Sequence, residues 1–79
     1  MTLWWYRDDI PDELAPSAKF IFYVLVDRVD PLTLQQLQHE TLLPGRTIRK
    51  ALRSLRRHDL IEKIENPDQP SKPLYSTAL

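Results

Sequence analysis

The chain has 79 residues and no net formal charge, with 11 basic against 11 acidic side chains. A chain this short forms one domain with a thin core, because small domains bury only about 60% of their unfolded surface. Its 42% hydrophobic content excludes a disordered chain. The absence of cysteine excludes disulfides and thiolate metal sites. The longest apolar run, residues 20–26, is too short to span a membrane.

The first 14 residues predict an aromatic and acidic segment ahead of a folded domain at residues 15–79. We expect Trp4, Trp5 and Tyr6 to cover the core or a dimer interface, with stacking on nucleic-acid bases as the alternative. Four carboxylates follow them: Asp8, Asp9, Asp12 and Glu13. Since no histidine lies nearby, a solvated segment is favoured over metal or acid–base chemistry.

A first helix is predicted from Pro16 to Arg28, because proline suits the first helical position. The segment is apolar nearly all round, which predicts burial on two sides. One side is expected to face the core, and Phe22 and Val26, on another side, are expected to contact a second copy of the chain. A strand is the alternative, since the run is rich in β-branched and aromatic residues.

A second helix is predicted over residues 34–40, after a break at Asp30-Pro31. Thr33 offers an N-cap oxygen, and Gln36 three residues later fits a capping box. Leu34, Leu37 and Thr41 are expected to point inward. Leu42-Leu43 then forms an apolar turn.

A third helix is predicted from about Pro44 to His58, and its two faces differ sharply. On a helical wheel the apolar residues cluster on one side: Ile48, Ala51, Leu52 and Leu55. Four basic residues share the opposite side within about 60°, and two more flank them. These six are Arg46, Lys50, Arg53 and Arg57, flanked by Arg49 and Arg56. Residues 1–40 carry three basic against seven acidic side chains and residues 41–65 carry seven against three, so the charge separation favours a local polyanion site.

A hairpin is predicted to follow the third helix. Asp59 is expected to end that helix in a left-handed conformation, which Asp tolerates better than most residues. Residues 60–65 and 74–78 are strand-like, and residues 66–73 contain three prolines and predict a loop.

These features resemble a winged helix-turn-helix domain of the MarR/ArsR-like kind found in bacteria and archaea. The resemblance covers residues 16–79 and is carried by Pro31 to Leu37, Thr41 to Leu55 and Asp59 to Glu62. It implies an α+β fold with three helices and a two-stranded β-hairpin wing. The family often has glycine where this chain has Leu42 and Asp59, and a Ser or Thr N-cap where it has Pro44.

By resemblance, the helix from about 45 to 58 is a recognition helix that enters the DNA major groove, which admits one helix. Its N-terminal half reads bases through Arg46, Thr47 and Lys50, with Arg46 suited to guanine. The remaining contacts are expected on phosphates, from Arg49, Arg53, Arg56 and Arg57, from Thr33 and Gln35 at the second helix, and from Lys72 in the wing.

The sequence therefore predicts a small, homodimeric, cytoplasmic, nucleoid-associated transcriptional regulator that binds double-stranded DNA. A winged-helix module that binds an acidic protein partner is the alternative, and RNA binding is a third option. We expect no enzymatic activity, cofactor or membrane partner, because no catalytic or glycine-rich motif is present. No metal is expected either, since His39 and His58 lack a metal-ligand spacing.

Overall fold

Three helices and a small antiparallel sheet make up the computed structural model, which describes residues 14–28 and 30–78. The helices are α1 (Pro16–Asp27), α2 (Leu34–Thr41) and α3 (Gly45–Arg57). The strands are β1 (Leu32–Thr33), β2 (Ile61–Ile64) and β3 (Leu74–Thr77). The three predicted helices and the hairpin are confirmed, and the strand alternative for α1 is wrong.

Helix α1 begins at Pro16 and buries one face against the rest of the chain. Ile21 and Phe22 are completely buried, and Ala18 and Leu25 are nearly so. The prediction that Phe22 contacts a second copy is therefore wrong, because its side chain is enclosed by the core of its own chain. The large apolar side chains that α1 exposes are Phe20 (45%) and Tyr23 (38%).

The core includes Leu14, the last residue of the predicted N-terminal segment. Leu14 is 4% exposed and belongs to the main cluster of buried apolar side chains. Val26, a predicted dimer contact, is half-buried and packs against the same cluster. The other predicted dimer contacts, Trp4, Trp5 and Tyr6, lie outside the described residues.

Helix α2 has the predicted capping box at its start. The Thr33 Oγ1 atom accepts a hydrogen bond from the Gln36 backbone N–H (3.1 Å), and Gln36 Oε1 accepts one from the Thr33 N–H (2.8 Å). At the other end, Thr41 is buried, and its hydroxyl donates to the Leu37 carbonyl (2.7 Å). The helix stops at Leu42, whose backbone has φ 60°.

The sheet has the order β1-β3-β2, and both strand pairs are antiparallel. Strands β2 and β3 form the predicted wing hairpin, with Ile61 opposite Thr77 and Ile64 opposite Leu74. Sequence analysis missed β1, which places Thr33 opposite Leu74. This pairing ties the start of α2 to the end of β3 that adjoins the wing loop. None of the described helices is long and apolar enough to cross a lipid bilayer.

Candidate nucleic-acid interface

Helix α3 is anchored through its apolar face. Ile48 and Leu55 are completely buried, and Ala51 and Leu52 are at most 4% exposed. Helices α1 and α2 and strand β2 all pack against α3. The back of α3 is therefore fixed, and the helix cannot rotate without opening the core.

The opposite face of α3 carries the predicted cations, and all of them are exposed. The structure thus brings six basic side chains together on one surface, which we call the cationic face: Arg46, Arg49, Lys50, Arg53, Arg56 and Arg57. The face extends for about 16 Å along the helix axis, given a rise of 1.5 Å per residue. Thr47 is half-buried at its edge.

Within the described residues, the cationic face has no ionic partner. An ion pair elsewhere in the structure joins Arg28 to Glu40, outside the cationic face. Six neighbouring positive charges without carboxylates repel one another and attract a polyanion, most strongly at low ionic strength.

A groove separates α3 from the start of α1, and we call it the α1–α3 groove. It has a volume of about 520 Å³. Arg46 and Lys50 line one wall, and Ala15 and Ser17 line the other. Thr47, Ser54 and the buried residues Ala18 and Ala51 complete the lining.

A second groove, of about 380 Å³, lies between α2, α3 and the loop of the wing, and we call it the wing groove. Its cations are Arg49 and Lys72, and Lys72 Nζ lies 3.4 Å from Gln35 Oε1. Four of its lining residues were not predicted as site residues: Leu34, Ser71, Pro73 and Tyr75. Tyr75 also lines a smaller depression beside Arg53 and Arg56, so it links the wing to the cationic face.

The remaining predicted site residue, Thr33, is half-buried and occupied by the capping box. The N–H groups of Thr33 and Gln36 are both engaged, so these two groups are not free to bind a phosphate. Gln35, between them, is exposed and faces the wing groove. The described residues contain no cluster of three or more His, Asp or Glu side chains that would hold a metal ion.

Comparison with solved structures identifies the fold. The chain is similar to a probable transcriptional regulator from Pseudomonas aeruginosa, with 24% identity, a TM-score of 0.76, and coverage of 91% of this chain and 54% of that one. It is similar to the PcaV transcriptional regulator from Streptomyces coelicolor, with 18% identity, a TM-score of 0.76, and coverage of 91% and 50%. It is also similar to BpsR from Bordetella bronchiseptica, with 19% identity, a TM-score of 0.67, and coverage of 91% and 55%.

The chain has the winged helix-turn-helix fold. This result confirms the fold that the MarR-like resemblance implied. The chain spans about half the length of the solved regulators it matches. No protein-family model matches the sequence, and no curated protein matches it either.

Proposed function

We propose that this chain binds double-stranded DNA through α3 and acts as a small transcriptional regulator. The observation that carries this proposal is the cationic face: six exposed basic side chains on a helix whose opposite side is buried. A helix of this kind fits the major groove of B-DNA, which is about 12 Å wide. The fold supports the proposal, because the similar solved structures are transcriptional regulators, and BpsR is described by its DNA binding.

In this proposal the first two turns of α3 read base edges. Arg46 and Lys50 are exposed there, and Thr47 lies beside them. An arginine donates two parallel hydrogen bonds to O6 and N7 of guanine, a pattern that distinguishes guanine from the other bases. These three residues are therefore the proposed source of sequence specificity.

The phosphate contacts come from the rest of the cationic face and from the wing groove. Arg49 and Lys72 line that groove together, although 23 positions separate them in the sequence. Together with Gln35 they offer donors from α2, α3 and the wing to one strand of the backbone. Such contacts fix the register of the protein on the duplex without carrying sequence information.

The test is duplex binding measured by fluorescence anisotropy over a series of salt concentrations, on a sequence selected from a random duplex pool. Arg53→Ala is expected to weaken binding to all duplexes alike and to reduce the slope of log K against log salt by about 0.9. Arg46→Ala is expected to lose about 1–3 kcal/mol of discrimination at one base position.

Lys19→Ala is the matched control, because it removes one positive charge from α1 at a position that lines neither groove. It should leave both the slope and the discrimination unchanged. Absence of salt-dependent duplex binding by the unmodified protein would overturn the proposal and favour the acidic-partner alternative.

A further inference from the structure

The depression between the wing and the cationic face, which we call the Tyr75 depression, has the lining of an anion site. It has a volume of about 210 Å³, and no carboxylate lines it. Leu52 is buried, so the depression combines one apolar residue of the core with three cations and a phenol. Its lining residues are Arg49, Leu52, Arg53, Arg56 and Tyr75.

The three arginines share this depression because of their spacing on α3. Arg49, Arg53 and Arg56 follow one another at intervals of four and three residues, which places them within about 60° of one another around the helix. All three side chains are exposed, and no described carboxylate forms an ion pair with them. Guanidinium groups match the geometry of phosphate oxygens and donate paired hydrogen bonds to them.

Tyr75 lines the depression from the side of the wing, and the sheet fixes its position. It lies on β3, the central strand, opposite Leu32 of β1 and Lys63 of β2. Its side chain is half-buried and packs against the core. None of the described residues forms a hydrogen bond with its hydroxyl. A phenol hydroxyl is a hydrogen-bond donor, and tyrosine is among the residues that donate to DNA phosphates.

Tyr75 and Arg49 also line the wing groove, so the groove and the depression share these two residues. The cations continue from Lys72 in the wing through Arg49 to Arg56. A DNA strand carries one phosphate for each 3.4 Å of helix axis and therefore offers phosphates along such a line. Tyr75 lies where this line passes from the wing to α3.

We propose that Tyr75 is a phosphate-binding residue and that its hydroxyl, together with the three arginines, binds one phosphate group in the Tyr75 depression. That this phosphate belongs to a DNA strand rests on the proposed function, whereas the affinity of the depression for phosphate does not. The arginines are long side chains with many rotamers, and Tyr75 adds a donor held by the core. It fixes the position of the strand along α3 without carrying sequence information.

The site is tested first without DNA, by adding sodium phosphate to the full chain, with sodium chloride of equal ionic strength as the reference. In nuclear magnetic resonance spectra, the signals of the Tyr75 ring and of the three arginine Nε–H groups are expected to shift together and to saturate. Arg46 and Arg57 are internal controls, because they belong to the cationic face but do not line the depression. An unchanged Tyr75 ring, or equal shifts at all five arginines, would overturn the proposal.

The role of the hydroxyl in DNA binding is tested with Tyr75→Phe, which keeps the ring and its packing against the core. The variant is expected to bind every duplex about three- to tenfold more weakly, which corresponds to the loss of one hydrogen bond. The slope of log K against log salt should stay the same, because the hydroxyl carries no charge and releases no counterion.

Tyr23→Phe is the matched control, since Tyr23 is a partly exposed tyrosine on α1 that lines neither the depression nor either groove. It should leave duplex binding unchanged. Unchanged binding by Tyr75→Phe, or an equal loss in the control, would overturn the proposal. A reduced salt slope in Tyr75→Phe would also overturn it, because the substitution would then act by displacing the arginines.

The bound phosphate is located by placing a neutral methylphosphonate at one position at a time in the selected duplex. At one position this change should weaken binding by the unmodified protein, and Tyr75→Phe should add little further loss there. Additive losses at every position would overturn the proposal. If the unmodified protein binds no duplex, the proposed function fails, and the phosphate titration still decides whether the depression binds phosphate.

Discussion

Leu42 and Asp59 follow α2 and α3 with backbones in the left-handed region, at φ 60° and 59°. Glycine commonly occupies such positions, because a Cβ atom crowds the neighbouring carbonyl oxygen. Aspartate tolerates this conformation, and its left-handed backbone was predicted from the sequence and is confirmed. Leucine does not share this tolerance, and Leu42 is 87% exposed, so burial of its side chain does not offset the strain.

We predict that Leu42→Gly raises the free energy of unfolding by about 0.5–1 kcal/mol. The left-handed backbone costs an ordinary residue about 1–2 kcal/mol, and the larger unfolded-state entropy of glycine offsets part of the gain. Urea denaturation should report the change as a higher midpoint with an unchanged slope. Leu42→Ala is the control, since it removes the exposed side chain but keeps the Cβ atom. An equal gain in the alanine variant would contradict the assignment to backbone strain.

At the scale of single elements, the capping box of α2 gives a second prediction. Thr33→Ala removes the acceptor for the Gln36 N–H and is expected to lower the free energy of unfolding by about 1 kcal/mol. Thr33→Ser keeps the hydroxyl and should retain most of the stability. Thermal unfolding distinguishes the two, because about 1 kcal/mol corresponds to 4–8 °C in a domain of this size. Equal losses would assign the effect to the methyl group that both variants lack rather than to the cap.

The helices and the hairpin could be predicted because their signals are local. Pro16, the Thr33–Gln36 pair and the two faces of α3 each set an element within a few residues of sequence. Strand β1 could not be predicted, since two residues are too few to show a period of two. Its pairing with β3 depends on contacts between residues more than 40 positions apart.

The candidate site divides in the same way. The cationic face could be predicted because it is one face of one helix, so a helical wheel drawn from the sequence identifies the residues that belong to it. The wing groove could not, because it joins Gln35, Arg49 and Lys72 through the sheet register. The assignment of Phe22 failed for a related reason: α1 is apolar on more than one side, and a wheel does not tell which side faces the core.

At the scale of the whole molecule, the predicted homodimer remains a prediction. Light scattering at high micromolar concentration is expected to give twice the chain mass of 9.3 kDa. Because Phe20 is 45% exposed on the outer side of α1, Phe20→Ser is expected to weaken the dimer without reducing the stability of the fold. Leu42→Gly, which removes an exposed apolar side chain elsewhere, should leave the dimer intact. A monomer mass for the unmodified protein would contradict the prediction.

A homodimer also constrains the DNA target. Two copies of α3 related by a two-fold axis require a palindromic site, with half-sites about 34–36 Å apart, one turn of the double helix, or a multiple of that spacing. Sequences selected from a random duplex pool should show this symmetry. A single unrepeated half-site would indicate that one chain binds alone.

The central claim is that the cationic face of α3 is the surface that contacts DNA. The most direct test is to record two-dimensional ¹H–¹⁵N spectra of the labelled protein while a selected duplex is added. The largest shifts are expected at backbone amides of residues 45–57, with smaller ones at Gln35 and Lys72 and none at Phe20 or Tyr23 on α1. Shifts centred on α1, with the amides of α3 unchanged, would contradict the claim.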